Sequence, residues 1–215
     1  MKIDIELVEK VKSGDKAAFS QLYESIYADT YRLAYSFTKS NEDAQDAVQN
    51  AFVILYKKIE TLKNTNSFKS WFNTIVVNEA LRINKKKKSY ALNFTDVNDE
   101  NSDSEFENSI IDENDNFTPE NYADKKEIIK TVGKIMDELS EEQKQCLQLF
   151  YYEDMKIKDI SKALNVPEGT VKTRLKRGKS KFEEIAKEYE KKGYKFFGFS
   201  VLPIFFSSSL SNIQI

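Results

Sequence analysis

The chain has 215 residues, of which 40% are hydrophobic and 32% are charged, with only six glycines and three prolines. Such a sequence is expected to form one or two small domains built from long helices. It contains no histidine, which argues against classical catalytic triads and zinc sites, so we expect no catalytic residue and no metal. The single cysteine, Cys146, excludes an internal disulfide and fits a reducing compartment. It lies in an apolar helical pattern, which favours a small core residue over a redox sensor.

Charge is distributed unevenly along the chain. Residues 1–88 carry 15 basic and 11 acidic residues, and residues 124–192 carry 17 basic and 14 acidic residues. Between them, residues 89–123 carry 10 acidic residues and no basic one. Two basic blocks on either side of an acidic one indicate two surfaces suited to a polyanion.

Residues 1–88 show helical periodicity, and we predict a compact bundle of about four helices there. Apolar residues recur at helical spacing over residues 19–27 and 44–59. Ser40 stands before an acidic first turn, which is typical of a helix N-cap. A polar break follows, and another helix is predicted over residues 68–88.

Residues 89–123 are rich in Asp, Glu, Asn and Ser and poor in apolar residues. Such a segment cannot bury enough apolar surface to offset the entropy lost on ordering. We therefore predict a disordered acidic linker. Helical periodicity resumes at residue 124 and continues to residue 192, which predicts a second helical domain.

Residues 156–182 have the pattern of a helix-turn-helix. Asn165 tolerates the left-handed backbone of a helix end, and the next helix places Val171 and Leu175 inward. The residues left to face outward or sideways on that helix are Thr170, Lys172, Thr173, Arg174, Lys176 and Arg177. Cations and hydroxyls so placed suit the phosphates and base edges of duplex DNA. The alternative is an ordinary helical hairpin with a solvated basic face.

Residues 193–215 form a C-terminal tail whose last 20 residues carry no charge. That length is sufficient for a membrane-spanning helix, but Pro203 interrupts it and its second half is rich in Ser. We favour an apolar segment that docks on its own domain or on a partner, and a membrane anchor is the alternative.

Three segments carry a resemblance to a known family. LSEEQKQCLQLFYYEDMKIKDISKALNVPEGTVKTRLKRGKSKF (139–182) closely resembles the domain that binds the −35 promoter element in bacterial sigma factors of the extracytoplasmic-function (ECF) group. DAQDAVQNAF (43–52) resembles the polymerase-binding helix of that family, and SFKSWFNTIVVNEALRINKKKK (67–88) resembles its promoter-melting and −10-binding helix. The segments occur in the order of the family and are separated by a linker.

The resemblance implies a polymerase-binding surface on the helix that begins near Asn41. Its residues are Asp43, Asp46, Gln49 and Asn50. The resemblance implies that Asp46, Gln49 and Asn50 meet the coiled-coil clamp of the largest polymerase subunits. Helical periodicity alone favours a solvated helix face with no partner. The resemblance of residues 43–52 to the family motif favours polymerase binding instead. Gln45 and Ala47 stand where relatives usually carry Glu and Leu, so binding is expected to be slightly weaker.

The resemblance also implies a −10 surface. Its residues are Asn64, Asn66, Ser67, Asn78, Arg82, Lys85, Lys86, Lys87 and Lys88. The turn over residues 63–67 resembles the family loop that captures a flipped base, and a plain polar turn is the alternative. Arg82 stands where relatives usually carry an acidic residue, which leaves the base preference open. We favour Trp71 and Phe72 as core residues over platforms for an unpaired base.

Together these features predict an all-α protein with two small domains, the second a helix-turn-helix, acting as a cytoplasmic sigma factor. Its expected partners are core RNA polymerase and promoter DNA, with duplex bound at −35 and an opened strand at −10. An anti-sigma factor is common in the resembled family, although no residue here demonstrates one. No cofactor is implied, since polymerase supplies the catalytic magnesium. The alternatives are a helix-turn-helix regulator that acts without polymerase and a carboxylate-based enzyme, which the clustering of acidic residues in the linker argues against.

Overall fold

The computed structural model describes residue 1, residues 3–93 and residues 130–193. Within these ranges the chain forms helices and turns and no strand, which confirms the predicted all-α fold. The predictions for residues 94–123 of the linker and for the tail after residue 193 lie outside the described residues. None of the described helices is both long and apolar enough to span a bilayer.

The first four helices follow one another closely. They are α1 (Ile5–Lys12), α2 (Lys16–Thr38), α3 (Asn41–Lys58) and α4 (Phe68–Asn93). Two short 3₁₀ turns, Ile59–Thr61 and Thr65–Ser67, connect α3 to α4, and the second lies in the polar break predicted near residues 64–67. Helix α4 continues through residues 89–93, which the sequence assigned to the linker.

Side-chain caps explain where these helices begin. The Asp4 carboxylate accepts hydrogen bonds from the backbone at the start of α1, and the Asp15 carboxylate does so for α2. The Ser40 hydroxyl accepts one from the Asp43 backbone N–H at 3.4 Å, which confirms the predicted N-cap of α3. Such caps contribute about 1 kcal/mol each.

Apolar stripes of α2, α3 and α4 form a shared core. Leu22, Ile26 and Leu33 of α2 and Val48 and Leu55 of α3 are essentially inaccessible to solvent. On α4 the buried residues are Phe68, Phe72, Val76, Val77 and Ala80, together with Asn73. Burial of each large apolar side chain contributes about 1.5–3 kcal/mol. This core fixes which faces of α3 and α4 remain exposed.

A small charge cluster lies on α2. The Asp29 carboxylate pairs with the Met1 ammonium at 3.1 Å and with Arg32. Burial alone raises the pKa of Asp29, but the two cations outweigh it and the net pKa is lowered. The ionised carboxylate is therefore the form that stabilises the fold.

The remaining described helices are α5 (residues 130–137), α6 (Glu141–Leu147), α7 (Ile157–Leu164) and α8 (Glu168–Lys191). A π-helical segment, Gln148–Tyr152, continues α6. The described chain forms two compact units, one with α1–α4 and residues 158–165, and the other with α5, α6 and α8. The sequence assigned residues 124–192 to one domain, and that boundary stays a prediction.

The core of the second unit brings α5, α6 and α8 together. Its buried residues are Val132, Ile135, Leu139, Leu147, Phe182 and Ile185. Ser140 and Gln143 form a reciprocal capping box at the start of α6. Gly178 of α8 is buried where α6 crosses, and a Cβ there would lie 3.1 Å from Leu147 Cδ1 and 3.2 Å from Gln143 Cβ. A glycine therefore permits the close approach of these two helices.

Candidate nucleic-acid and protein interfaces

The exposed face of α3 contains most of the predicted polymerase-binding residues. Asp46 and Gln49 are exposed and Asn50 is half-buried. Val53 and Tyr56 follow on the same face and are 51% and 59% exposed. Neither residue was predicted from the sequence as part of a site, although both lie outside the buried stripe that the periodicity defines. We refer to Asp46, Gln49, Asn50, Val53 and Tyr56 as the α3 face.

Asp43, the first residue of the predicted polymerase-binding set, has a different environment. It is buried, and its Oδ2 accepts a hydrogen bond from Lys87 Nζ of α4 at 2.6 Å. The carboxylate side chain is 9% exposed, whereas the Lys87 side chain is 60% exposed. The structure thus joins a residue assigned to polymerase binding with one assigned to DNA binding.

The turn before α4 is preorganised. Asn64 Oδ1 accepts a hydrogen bond from the Asn66 backbone N–H at 3.0 Å, and the Asn64 carbonyl accepts one from the Ser67 N–H. Thr65 is buried and anchors the turn, which leaves the side chains of Asn64, Asn66 and Ser67 exposed. These amide and hydroxyl groups can reach the edge of an unpaired base.

The polar residues of α4 divide between two faces. Because an α-helix turns about 100° per residue, Asn78, Arg82, Lys85 and Lys86 point away from the buried Ala80. All four are exposed. Asn84 and Lys87, by contrast, lie within about 40° of Ala80 and continue the core-facing stripe. The Asn84 amide donates to the Phe37 carbonyl at the end of α2, at 2.8 Å.

Arg82 is engaged within its own helix. Its guanidinium donates to Glu79 Oε2 through Nε at 3.0 Å and Nη2 at 2.6 Å. Such an exposed pair is weak and can be exchanged for a phosphate. Among the described residues, Lys85 and Lys88 form no ion pair and are exposed, so they are available for DNA.

The turn and the lysines lie at opposite ends of α4. Lys85 is 17 residues beyond Phe68, which places it about 26 Å along the helix axis. That distance corresponds to about eight steps of a DNA strand at 3.4 Å each. The turn and the lysine cluster are therefore too far apart to reach the same nucleotide.

The two aromatic residues of α4 differ in burial. Phe72 is fully buried and its ring lies 5.2 Å from that of Phe52, so its prediction as a core residue is confirmed. Trp71 is half-buried, with its ring 6.2 Å from that of Phe68. Trp71 therefore retains accessible surface that could stack on a base, whereas Phe72 does not.

Helix α8 presents a narrow basic face. Lys172, Thr173, Lys176 and Arg177 are exposed and lie on adjacent turns, while Val171 is fully buried as predicted. Asn165, before α8, has the predicted left-handed backbone with φ 52°. Within the described residues Lys172, Lys176 and Arg177 form no ion pair, which leaves three cations for DNA phosphates.

Two predicted contacts on α8 are less accessible. Thr170 is half-buried, and so is Arg174, whose guanidinium lies beside the Cys146 thiol of α6. Cys146 is fully buried, which confirms its prediction as a core residue. Burial raises the pKa of this thiol, and the nearby guanidinium opposes that shift.

The described residues hold no cluster of three or more carboxylate, thiol or imidazole groups arranged for a metal ion. What they present instead is three polar surfaces: the α3 face, the exposed turn and lysines of α4, and the basic face of α8.

Comparison with known families agrees with this division. Residues 22–90, which include α3 and most of α4, match the model of sigma-70 region 2. Residues 129–182, which include α6, α7 and the first half of α8, match the model of sigma-70 region 4. The two matches occur in one chain and in that order.

Individual relatives are similar over most of their length. The ECF RNA polymerase sigma factor SigW of Bacillus subtilis is 29% identical over 80% of this chain and 90% of its own. The RNA polymerase sigma-H factor of Pseudomonas aeruginosa is 28% identical over 84% and 92%. Among solved structures, the sigma factor RpoE of Bartonella quintana, in complex with the anti-sigma factor NepR, shares the fold. Its TM-score is 0.55 at 19% identity, over 79% of this chain and 96% of its own.

Proposed function

Because this chain belongs to the sigma-70 family of RNA polymerase sigma factors, in its ECF group, we propose that it binds core polymerase through the α3 face and reads promoter DNA through α4 and α8. One observation carries the proposal. The regions that match the family each contain a buried apolar stripe and an exposed polar face, and the two basic faces lie on separate units.

The proposed division of work follows from the geometry of each surface. The α3 face combines a carboxylate and amides with exposed Val53 and Tyr56, a mixture suited to a protein partner. The turn before α4 offers short side chains to one unpaired base, and the lysines beyond it meet phosphates. The exposed basic face of α8 suits the major groove of the −35 element.

Sigma factors are not enzymes, and the proposed role needs no catalytic residue in this chain, since polymerase performs the chemistry. We place the protein in the cytoplasm because that is where polymerase transcribes. The Bartonella relative was solved with an anti-sigma factor, and a partner of that kind is part of the proposal for this chain.

The test of this function is promoter opening by reconstituted holoenzyme. Core polymerase with the protein should give permanganate-reactive thymines at a cognate −10 element. The double variant Asp46→Ala, Gln49→Ala should reduce retention of core polymerase at least tenfold, because it removes two polar anchors of the α3 face.

A matched control is Glu9→Ala with Gln21→Ala, which removes an exposed carboxylate and an exposed amide from α1 and α2. It should retain polymerase normally. If the wild-type protein bound duplex DNA specifically but never produced an open bubble with core polymerase, the alternative of a polymerase-independent regulator would replace this proposal.

A further inference from the structure

Residues 81–89 of α4 contribute no fully buried side chain to the apolar core. Among the described side chains of this helix, Ala80 is the last that is fully buried. Leu81 and Ile83 are only half-buried. A tilt of about 20° at Ala80 would displace Lys88, about 12 Å further along the axis, by about 4 Å. The lysines therefore need a further restraint to keep their position relative to the turn.

Two polar contacts supply this restraint. Asn84 Nδ2 donates to the Phe37 carbonyl at 2.8 Å, which ties α4 to the last turn of α2. Lys87 Nζ donates to Asp43 Oδ2 at 2.6 Å, which ties α4 to the first turn of α3. Both side chains lie on the core-facing stripe of α4, where the buried residues before them are apolar except for Asn73.

From these contacts we propose that Asp43 and Lys87 form a positioning pair that orients the DNA-binding end of α4, and that neither residue is itself a contact to polymerase or DNA. The proposal rests on the proposed function and deepens it. It reassigns one residue from each of two predicted surfaces. Asp43 lies one helical turn before Asp46, so the pair also joins the DNA-binding helix to the helix that carries the α3 face.

Burial distinguishes this pair from an ordinary surface ion pair. The Asp43 side chain is only 9% exposed, so its carboxylate is poorly solvated and loses a partner if Lys87 moves. Leaving a buried carboxylate unpaired is costly, which favours the paired state over transfer of Lys87 to a phosphate. Lys85 and Lys88 have no such partner within the described part of the chain, so they remain the phosphate ligands.

The two roles of Lys87 predict opposite effects for Asp43→Asn. If Asp43 only restrained a DNA-contacting lysine, its removal would free Lys87 and strengthen promoter binding. If the pair positions α4, Asp43→Asn should weaken binding of holoenzyme to a pre-opened promoter fragment by about three- to tenfold. Lys87→Met should weaken it equally, and the double variant should be no worse than either single one.

Salt dependence and rescue separate positioning from direct contact. Lys88→Met, the matched control, should lower the slope of log affinity against log salt by about one, whereas Lys87→Met should leave the slope unchanged. Lys87→Arg keeps the cation and should restore most of the binding.

Hydrogen exchange in the free full-length chain gives a readout that does not require polymerase. Amides of residues 84–89 should exchange about three- to tenfold faster in Asp43→Asn and Lys87→Met, and at the wild-type rate in Lys88→Met. The positioning role would be overturned if both variants left the exchange rates of residues 84–89 unchanged. It would also be overturned if Asp43→Asn bound DNA more tightly and Lys87→Met lowered the salt slope of DNA binding. Failure of the wild type to bind polymerase would reject the proposed function, and the exchange result would still decide the pair.

Discussion

The contact between α6 and α8 at Gly178 predicts a large and specific loss of stability when a side chain is added there. A Cβ at this position would already lie 3.1 Å from Leu147 Cδ1, so the larger side chain of Gly178→Leu forces the helices apart. Overpacking of this kind costs about 1–3 kcal/mol, and the gain in helix propensity from Gly to Leu offsets less than about 1 kcal/mol. We expect a net loss of about 1.5 kcal/mol.

Cys146 provides the assay because it is fully buried on α6 and is the only cysteine of the chain. Because the thiol is fully buried and burial also raises its pKa, alkylation requires opening of the second unit. A loss of about 1.5 kcal/mol should therefore accelerate labelling by iodoacetamide about tenfold. The rate is measured on the native full-length protein by mass spectrometry.

Gly169→Leu is the matched control, because Gly169 is exposed in the first turn of α8 and a Cβ there meets nothing within 4 Å. This variant should label no faster than the wild type, since Leu favours the helix and creates no overlap. Equal labelling rates for Gly178→Leu and Gly169→Leu would refute the reasoning that the close approach at Gly178 sets the packing of α8.

Three further outcomes are expected. Lys176→Met and Arg177→Met should each lower the slope of log affinity against log salt for the −35 duplex by about one, measured by titrations at several salt concentrations. Substitution of the half-buried Arg174 should instead reduce stability to urea more than it lowers that slope. Tyr56→Ala should weaken retention of core polymerase in a pull-down without changing binding to the −35 duplex, since Tyr56 is 59% exposed on the α3 face. Because the pKa of Asp29 is lowered, Asp29→Asn should reduce stability to urea at pH 6, and the difference should shrink as the pH falls below about 4.

Helical periodicity and capping chemistry determined most of the architecture. The apolar spacing over residues 44–59 identified the inward side of α3, and a single hydroxyl, Ser40, marked where α3 begins. On α4 the core prediction was confirmed for Phe72 alone, since Trp71 is half-buried. The exposed basic face of α8 also followed from spacing alone, because Val171 marks the side that must be buried. Helical spacing also places Lys87 on the inner side of α4. This position was overlooked because Lys87 belongs to a run of four lysines.

Tertiary structure determined which of these side chains are covered by another helix. Asp43 lies on the outer side of α3 by periodicity, yet it is buried, and Lys87 of α4, 44 residues later, donates a hydrogen bond to its carboxylate. Arg174 lies beside Cys146 rather than fully exposed on α8, and Gly178 is required only because α6 passes so closely. A sequence fixes the direction of each side chain about its own helix axis, but only the packing of distant helices determines which neighbour it meets.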